Sequence, residues 1–312
     1  MPDQLGYYIK KLKQLRVGRS RVGPAPHKPL LLLAVIDLLE QGEIQTNRIV
    51  PSPQLVETYL RYWNQISTGP PRPFLPFNYL KSSGFWHLHA HKGQEAVLAS
   101  THAFSTMSHL AGVVAYVSLD DELFALLLNP ETREVIRQAI IETYFPNQRP
   151  IVEAVTNENR AISNFEQALL HQAEKRLAAI EVPESPTRSA AFRGIIMKLY
   201  DYTCAACRLR VITINGKSAV DAAHIIPFAE THDDGIGNGL ALCKLHHWAF
   251  DNGVLSLDDN YTLLVSAAFD EKGPTALLLR NLKAKHILLP SQKPFLPALH
   301  AMRWHRENKF MQ

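Results

Sequence analysis

The cysteines of this sequence and four of its fourteen histidines fall within one stretch, from Cys204 to Gly253. Cys204-x-x-Cys207 and Cys243-x-x-His246 form two pairs with two-residue spacing. That spacing lets two donors on a tight turn reach one ion, and two such turns complete the tetrahedron that Zn²⁺ prefers. These donors fill every position of the tetrahedron, so the predicted Zn²⁺ is structural. A redox CxxC with an unrelated Cys243 is the alternative, but the matching CxxH pair favours zinc.

A second set of side chains in the same stretch suits phosphodiester hydrolysis. That reaction requires a base to activate water and a divalent cation to stabilise charge on the phosphate and the leaving oxygen. The imidazole of His224 suits the first task. His247 and Asp251, four residues apart on one helical face, suit the second. The amide of Asn238 could hold the ring of the base by hydrogen bonding, or join the ligands of the ion.

The length of the chain, 312 residues, indicates about two domains. We predict a first domain at residues 1–150, a helical spacer and linker at 151–189, and a second domain at 190–312 that contains both sets of side chains. The boundary rests on VPESPTRS, from Val182 to Ser189, which interrupts a polar helical pattern with two prolines.

Apolar periodicity and turn residues predict an α+β fold. Helices are expected at residues 3–16, Leu30–Gln41, Pro53–Ile66, Asp120–Leu128, Glu131–Tyr144, Ile151–Ile180 and Ala190–Tyr200. Phe77–His89 is predicted to be a turn between two aromatic-rich strands, and Val254–Leu257 and Thr262–Val265 to be short strands. The basic C-terminal segment is expected to be either a helix on DNA or a packing cap.

The order His224, Asn238, His247, with the last histidine directly after a zinc ligand, resembles the HNH endonuclease family. The resemblance covers about residues 190–310 and implies a zinc-stapled ββα-metal domain. It implies that His224 is the general base and that His247 binds Mg²⁺ or Mn²⁺. Many members carry an acidic ion ligand directly before the first histidine, where this chain has alanine. The second ion ligand is therefore left between Asp221 and Asp251, and Asp221 has a structural role as its alternative.

The N-terminal half resembles a second family. Three segments resemble the sulfur-binding domain of type IV restriction enzymes that attack phosphorothioate-modified DNA. They are PHKPLLLLAVIDLLEQG, the segment Gly84–Leu88 and the helix end Tyr144-Phe145-Pro146. The terminal WHRE segment also resembles that group. Sulfur in place of a phosphate oxygen is larger and poorly hydrated, so a shallow apolar cup rimmed by cations could select it.

Candidate recognition residues follow from that resemblance. Tyr144, Phe145 and Pro146 are the candidates for the cup, with an ordinary helix stop as the alternative. The candidates for the rim are Tyr79, Lys81 and Arg149, and those for neighbouring phosphates are Arg16, Arg19 and Arg21. A solvated helix face followed by a loop would also explain the basic N-terminal segment.

Composition limits the remaining possibilities. The net charge of +4 and the pI near 8.9 permit a polyanionic partner, and the apolar runs are too short to span a bilayer. An odd number of cysteines argues for a reducing compartment, so we expect a cytoplasmic protein that binds double-stranded, modified DNA. A homodimer would supply a second active site for the second strand. The alternatives are an HNH endonuclease that reads methylated or unmodified foreign DNA, and a zinc-stabilised DNA-binding protein without nuclease activity.

Overall fold

The computed structural model describes residues 2–20, 23–175, 186–213 and 217–311. They divide into two units: the first comprises the residues up to Arg160 together with Thr213 and Lys217, and the second comprises Ala161–Ile212 and the residues from Ser218 on. Each unit has its own hydrophobic core. The predicted α+β class is confirmed, because the first unit is mainly helical and both units contain two-stranded sheets. Among the described helices, none has the length and apolar character that crossing a bilayer would require.

Helices form most of the first unit. In chain order they are α1 Pro2–Lys13, α2 His27–Glu40, α3 Pro53–Ile66, α4 Phe74–Tyr79, α5 Glu95–Ser100, α6 Met107–Val113, α7 Asp121–Leu128, α8 Pro130–Tyr144 and α9 Arg149–Lys175. The strands are β1 Arg19–Ser20, β2 Gly23–Pro24, β3 Trp86–Ala90 and β4 Val114–Leu119, paired antiparallel as β1–β2 and β3–β4.

The apolar helix α2 is the centre of the first core. Its residues are buried from Lys28 to Leu39, and α3, α4, α7 and α8 pack around it. The predicted bounds of α3 are confirmed: the Ser52 hydroxyl accepts a hydrogen bond from the Leu55 amide at 3.2 Å, and Pro53 occupies the first turn. Local capping therefore determines where α3 begins.

The prediction for Phe77–His89 is half wrong. Its first part is the end of α4 and a 3₁₀ turn, Leu80–Ser83, rather than a strand. Pro73 and Pro76 explain the error, because proline suits the first turn of a helix and cannot donate to a β ladder. The second part is β3, whose partner β4 lies far along the chain instead of across a local turn.

The second unit contains a strand–strand–helix motif. Its helices are α10 Thr187–Leu199, α11 Phe228–Thr231, α12 Lys244–Asp251 and α13 Leu299–Asn308. Its strands are β5 Val220–His224, β6 Gly239–Cys243, β7 Leu255–Leu257 and β8 Leu263–Val265, paired antiparallel as β5–β6 and β7–β8. Helix α12 follows β6 directly and packs on both strands of the β5–β6 pair.

Helix α9 contributes side chains to both cores. Val152 and Val155 belong to the first core, whereas Ile162, Phe165 and Leu169 belong to the second. The domain bounds 1–150, 151–189 and 190–312 stay a prediction, and residues 176–185 within the expected linker lie outside the described residues.

The C-terminal helix α13 packs as a cap on the second unit. His305 is 2% exposed, stacks on Phe250 at 3.7 Å and lies 2.9 Å from the Ser256 hydroxyl. Arg303 and Arg306 form ion pairs with Asp259. Of the two alternatives for this segment, the contacts favour the packing cap.

Gly253 makes that cap possible, and its replacement should destabilise the second unit. Its φ is +70°, and a Cβ built there would lie 2.0 Å from the backbone oxygen of Lys309. Gly253→Ala should lower the free energy of unfolding by about 2–4 kcal/mol, from the left-handed φ and the forced displacement of the tail. Chemical denaturation followed by circular dichroism measures the change. Gly273→Ala, which meets only Leu278 at 3.8 Å, is the control and should change stability by less than about 0.5 kcal/mol.

Candidate functional site

The β5–β6 pair separates two clusters of chemical groups. His224 lies opposite Gly239 at one end of the ladder, and Val220 lies opposite Cys243 at the other. Helix α12 begins at the Cys243 end of the ladder. Its first turn therefore places His246, of the Cys243–His246 pair, at this end.

The four predicted zinc donors lie together. The donor atoms of Cys204, Cys207, Cys243 and His246 are all within 4.8 Å of one another. Ligand atoms of a tetrahedral Zn²⁺ lie roughly 3.3–3.8 Å apart when the bonds are about 2.0–2.3 Å long, so the geometry and the donor set fit this ion. The cysteines form no disulfide. Burial lowers the pKa of His246, but the sulfurs of Cys204 and Cys243 outweigh it and raise the pKa to about 9.

His224, at the other end of the ladder, contacts Phe192 and Asp234. Its ring stacks on Phe192 of α10, with 3.9 Å between centroids and 7° between planes. Its Nε2 lies 2.8 Å from Oδ1 of Asp234. The side chain is 23% exposed. Gly239, opposite His224, allows α10 to approach, because a Cβ there would lie 2.3 Å from Ile196 Cδ1.

The Asn238 side chain holds backbone rather than the histidine ring. Its Oδ1 accepts a hydrogen bond from the Ile226 amide at 2.8 Å. Its Nδ2 donates to the carbonyl oxygens of Ile226 at 2.9 Å and Asp233 at 3.0 Å. Of the two roles expected for Asn238, the hydrogen bond to the ring of the base is corrected, and both ends of the amide are already bonded to backbone rather than open to an ion: Asn238 is buried and closes the loop between β5 and β6.

Of the two alternatives for the second ion ligand, Asp251 is the one beside His247. On α12, Nε2 of His247 lies 3.5 Å from Oδ2 of Asp251. Asp221 is held instead by Arg193 at 2.8 Å and Lys244 at 2.9 Å. Burial raises the pKa of Asp221, but these two cations outweigh it and hold the pKa below its ordinary value. Among the described residues, Asp221 forms no three-donor cluster with His247 and Asp251.

The N-terminal unit contains a cavity that we call the aromatic pocket, of about 980 Å³. Three predicted cup residues line it: Tyr144, Phe145 and Pro146. Phe145 is only 2% exposed and belongs to the core, so it supports the wall more than it offers surface. The Tyr144 hydroxyl donates to the Leu12 oxygen at 2.8 Å, which ties it to the end of α1.

A second cavity, the basic pocket, has about 780 Å³ and shares Ala25, His27 and Leu75 with the aromatic pocket. The predicted rim and phosphate residues Arg16, Tyr79 and Lys81 line it. The structure also adds Lys28, which is 7% exposed. Burial lowers the pKa of Lys28, and the charge of Arg16 lowers it further.

Arg149, also predicted for recognition, does not line either cavity. Arg149 is exposed and forms ion pairs with Glu142 and Glu153 on the helix surface. Its rim assignment is therefore not supported by its position, because its charge is already paired. Arg21 and the side chain of Arg19 lie outside the described residues.

Sequence reasoning missed several of these side chains. Asp234 and Arg188 were not singled out, although Asp233-Asp234 stands between the two histidines of the motif. His27 and Lys28 lie in the quoted segment PHKP but received no individual role. Arg72 lines the aromatic pocket, and after burial it is the second cause of the lowered pKa of His27.

Comparison with known proteins gives two family matches. Residues 7–157 match the family described as ScoMcrA-like, DNA sulfur-binding domain. Residues 204–258 match the HNH endonuclease family. A search among curated proteins gives no significant match.

Two solved structures are weakly similar. The Modification dependent TagI restriction endonuclease is 23% identical over 40% of this chain and 40% of that chain, with a TM-score of 0.30. The sulfur binding domain of SprMcrA complexed with phosphorothioated DNA is 21% identical over 49% of this chain and 93% of that chain, with a TM-score of 0.39. These values are too low to establish a shared fold.

Proposed function

We propose that this protein is a type IV restriction endonuclease, because its residues 7–157 belong to the DNA sulfur-binding family and its residues 204–258 form an HNH endonuclease domain. It recognises phosphorothioate-modified double-stranded DNA and hydrolyses phosphodiester bonds with a divalent ion. The observation that supports this proposal is that one unit contains an apolar cavity lined by cations and the other places His224, His247 and Asp251 around the β5–β6 pair.

Recognition uses the two N-terminal pockets. Lys28 is buried, its Nζ lies 3.4 Å from the Ser82 hydroxyl, and among the described residues it has no carboxylate partner. A buried cation without an anion is unfavourable, so a bound phosphate group would stabilise it. The aromatic pocket alongside offers the exposed ring of Pro146 as apolar surface for a poorly hydrated sulfur.

Hydrolysis uses the loop and helix around the β5–β6 pair. His224 takes a proton from the attacking water, and Asn238 keeps the loop that follows His224 in place. His247 and Asp251 would hold the catalytic Mg²⁺ or Mn²⁺. When bound, that ion stabilises negative charge on the phosphate and the leaving oxygen. The Zn²⁺ cluster would stabilise the start of α12, on which His247 lies.

The proposed activity fits a cytoplasmic protein, because free thiols that bind zinc persist in a reducing compartment. We further propose that two copies act together, each cutting one strand. Sedimentation on a phosphorothioated duplex should then show two chains per cut site.

Cleavage of three matched duplexes tests the substrate. We expect the wild-type chain to cut phosphorothioated DNA with Mg²⁺ or Mn²⁺ and to leave methylated and plain duplexes of the same sequence largely intact. Equal cutting of all three would favour an HNH nuclease that reads foreign DNA without regard to sulfur. Binding without any cutting would favour the zinc-stabilised DNA-binding protein.

Lys28→Ala should weaken binding of the phosphorothioated duplex by about 10- to 100-fold, since a hydrogen bond to a charged group contributes about 1.5–3 kcal/mol. Fluorescence anisotropy measures the change in Kd. Lys92→Ala removes the same charge from an exposed turn and should leave Kd within about twofold. Thermal melts of both variants check the fold. An unchanged Kd for the Lys28 variant would contradict its role in the pocket.

A further inference from the structure

We propose that Asp234, anchored by Arg188, is a positioning residue that sets the tautomer of His224. The inference rests on the proposed function insofar as it assigns His224 to a hydrolytic step. In this arrangement Nε2 carries the hydrogen and donates it to Asp234, and the lone pair of Nδ1 is left to receive the proton of the attacking water.

The first observation is the direction of the hydrogen bond. His224 Nε2 lies 2.8 Å from Asp234 Oδ1. An ionised carboxylate can only accept, so the hydrogen must be on Nε2. The neutral ring then has its acceptor at Nδ1, which has no hydrogen-bond partner in the described part of the chain.

The second observation is the burial and pairing of Asp234. Its side chain is 1% exposed, and one guanidinium nitrogen of Arg188 lies 2.9 Å from Oδ1 and 2.7 Å from Oδ2. A buried carboxylate stays ionised only when it is paired and hydrogen-bonded. Arg188 provides that pairing, so Asp234 remains an acceptor and does not become a donor.

The third observation is that aromatic rings contact both the imidazole of His224 and the guanidinium of Arg188. Phe192 stacks on His224 with 7° between the planes. The Arg188 guanidinium lies 3.5 Å from the centroid of the Phe228 ring, which is itself 6.0 Å from the His224 ring. Stacking fixes the plane but does not distinguish one ring nitrogen from the other. The hydrogen bond to Asp234 makes that choice.

The choice matters because only one nitrogen can face the water. In the hydrolytic step the water oxygen forms a bond to phosphorus and the bond from phosphorus to the leaving oxygen breaks. The water proton moves to Nδ1, and the leaving oxygen takes a proton from solvent. The hydrogen on Nε2 stays there, so Asp234 stabilises the imidazolium without being protonated. In the other tautomer Nδ1 carries a hydrogen and cannot accept the proton.

The kinetic experiment uses Asp234→Asn in the full chain with a matched control. Asparagine can present its oxygen to one partner only, so we expect kcat to fall by about 10- to 100-fold, within the range of general-base catalysis, with KM within about twofold. Asp233→Asn is the control, because Asp233 is the adjacent acid and its carboxylate, in the described part of the chain, accepts only from the Gly235 amide. Asp234→Glu should recover part of kcat. In a double-mutant cycle, Asp234→Asn should cost nothing further once His224→Ala is present.

The second measurement does not depend on activity. In protein labelled with ¹⁵N-histidine, long-range ¹H–¹⁵N correlation at alkaline pH should show His224 protonated on Nε2, with His224→Ala identifying the signal. Asp234→Asn should convert the signal to a mixture of tautomers, and Asp233→Asn should not. A wild-type signal protonated on Nδ1, or a fall in kcat that multiplies with that of His224→Ala, overturns the proposal. If the wild type cuts no DNA, the proposed function fails and the tautomer measurement still decides the role of Asp234.

Discussion

His224→Ala should reduce DNA cleavage by about 10²- to 10⁴-fold, the usual contribution of general-base catalysis. Alanine removes the nitrogen that would accept the proton of water. DNA binding should change little, because the two pockets assigned to recognition lie in the first unit. Single-turnover cleavage and anisotropy on the same duplex separate the two effects.

The matched control for this experiment is His286→Ala. His286 is an exposed histidine of the same unit, and the hydrogen bond shown for it uses its backbone oxygen rather than its ring. Its replacement should leave the cleavage rate within about twofold. If His224→Ala cuts as fast as the wild type, His224 is not the base and the hydrolytic assignment fails with it.

Cys204→Ala should unfold the second unit and leave the first one folded. Zn²⁺ contributes about 10–16 kcal/mol of binding free energy in small zinc-stabilised units, which is comparable with the total stability of a typical domain, about 5–15 kcal/mol. Cys204 is 0% exposed, so neither water nor another donor can replace it without disrupting the core. Zinc content, far-UV circular dichroism and melting measure the result.

The tryptophans allow the two units to be followed separately. Trp63 and Trp86 belong to the first core, whereas Trp248 and Trp304 lie in the second unit. Limited proteolysis of the Cys204 variant should leave a fragment with the first pair and degrade the second unit. Treatment of the wild type with a chelator should reproduce this pattern. Unchanged melting and circular dichroism after the substitution would refute the structural zinc.

Local signals account for much of the successful prediction. The start of α3 follows from a serine cap and a proline, which act within a few residues of the helix itself. The α4 segment shows the limit of such reasoning. Its aromatic residues suggest a strand, but the burial of Phe77 against Trp86, at 5.9 Å between ring centroids, depends on tertiary packing.

The recognition residues show the same limit. Tyr144, Phe145 and Pro146 do line a cavity, yet Phe145 is in the core, because burial of apolar surface decides its place and a sequence does not reveal exposure. Arg149 was expected at the rim because it is basic. In the folded protein, Glu142 and Glu153 form ion pairs with it on the helix surface, and only the tertiary structure shows these partners.

The four donors that could hold a metal ion, and the order of the histidines in the motif, could be determined from the sequence alone. The spacing of Cys204, Cys207, Cys243 and His246 restricts which atoms can reach one ion, since each pair lies within a single turn of backbone. The contacts of His224 could not be determined this way. Arg188, Phe192 and Asp234 come from a helix before β5 and from a loop after it, and their meeting depends on how α10 packs against the β5–β6 pair. Long-range packing brought these groups together, because no local preference relates residues that distant along the chain.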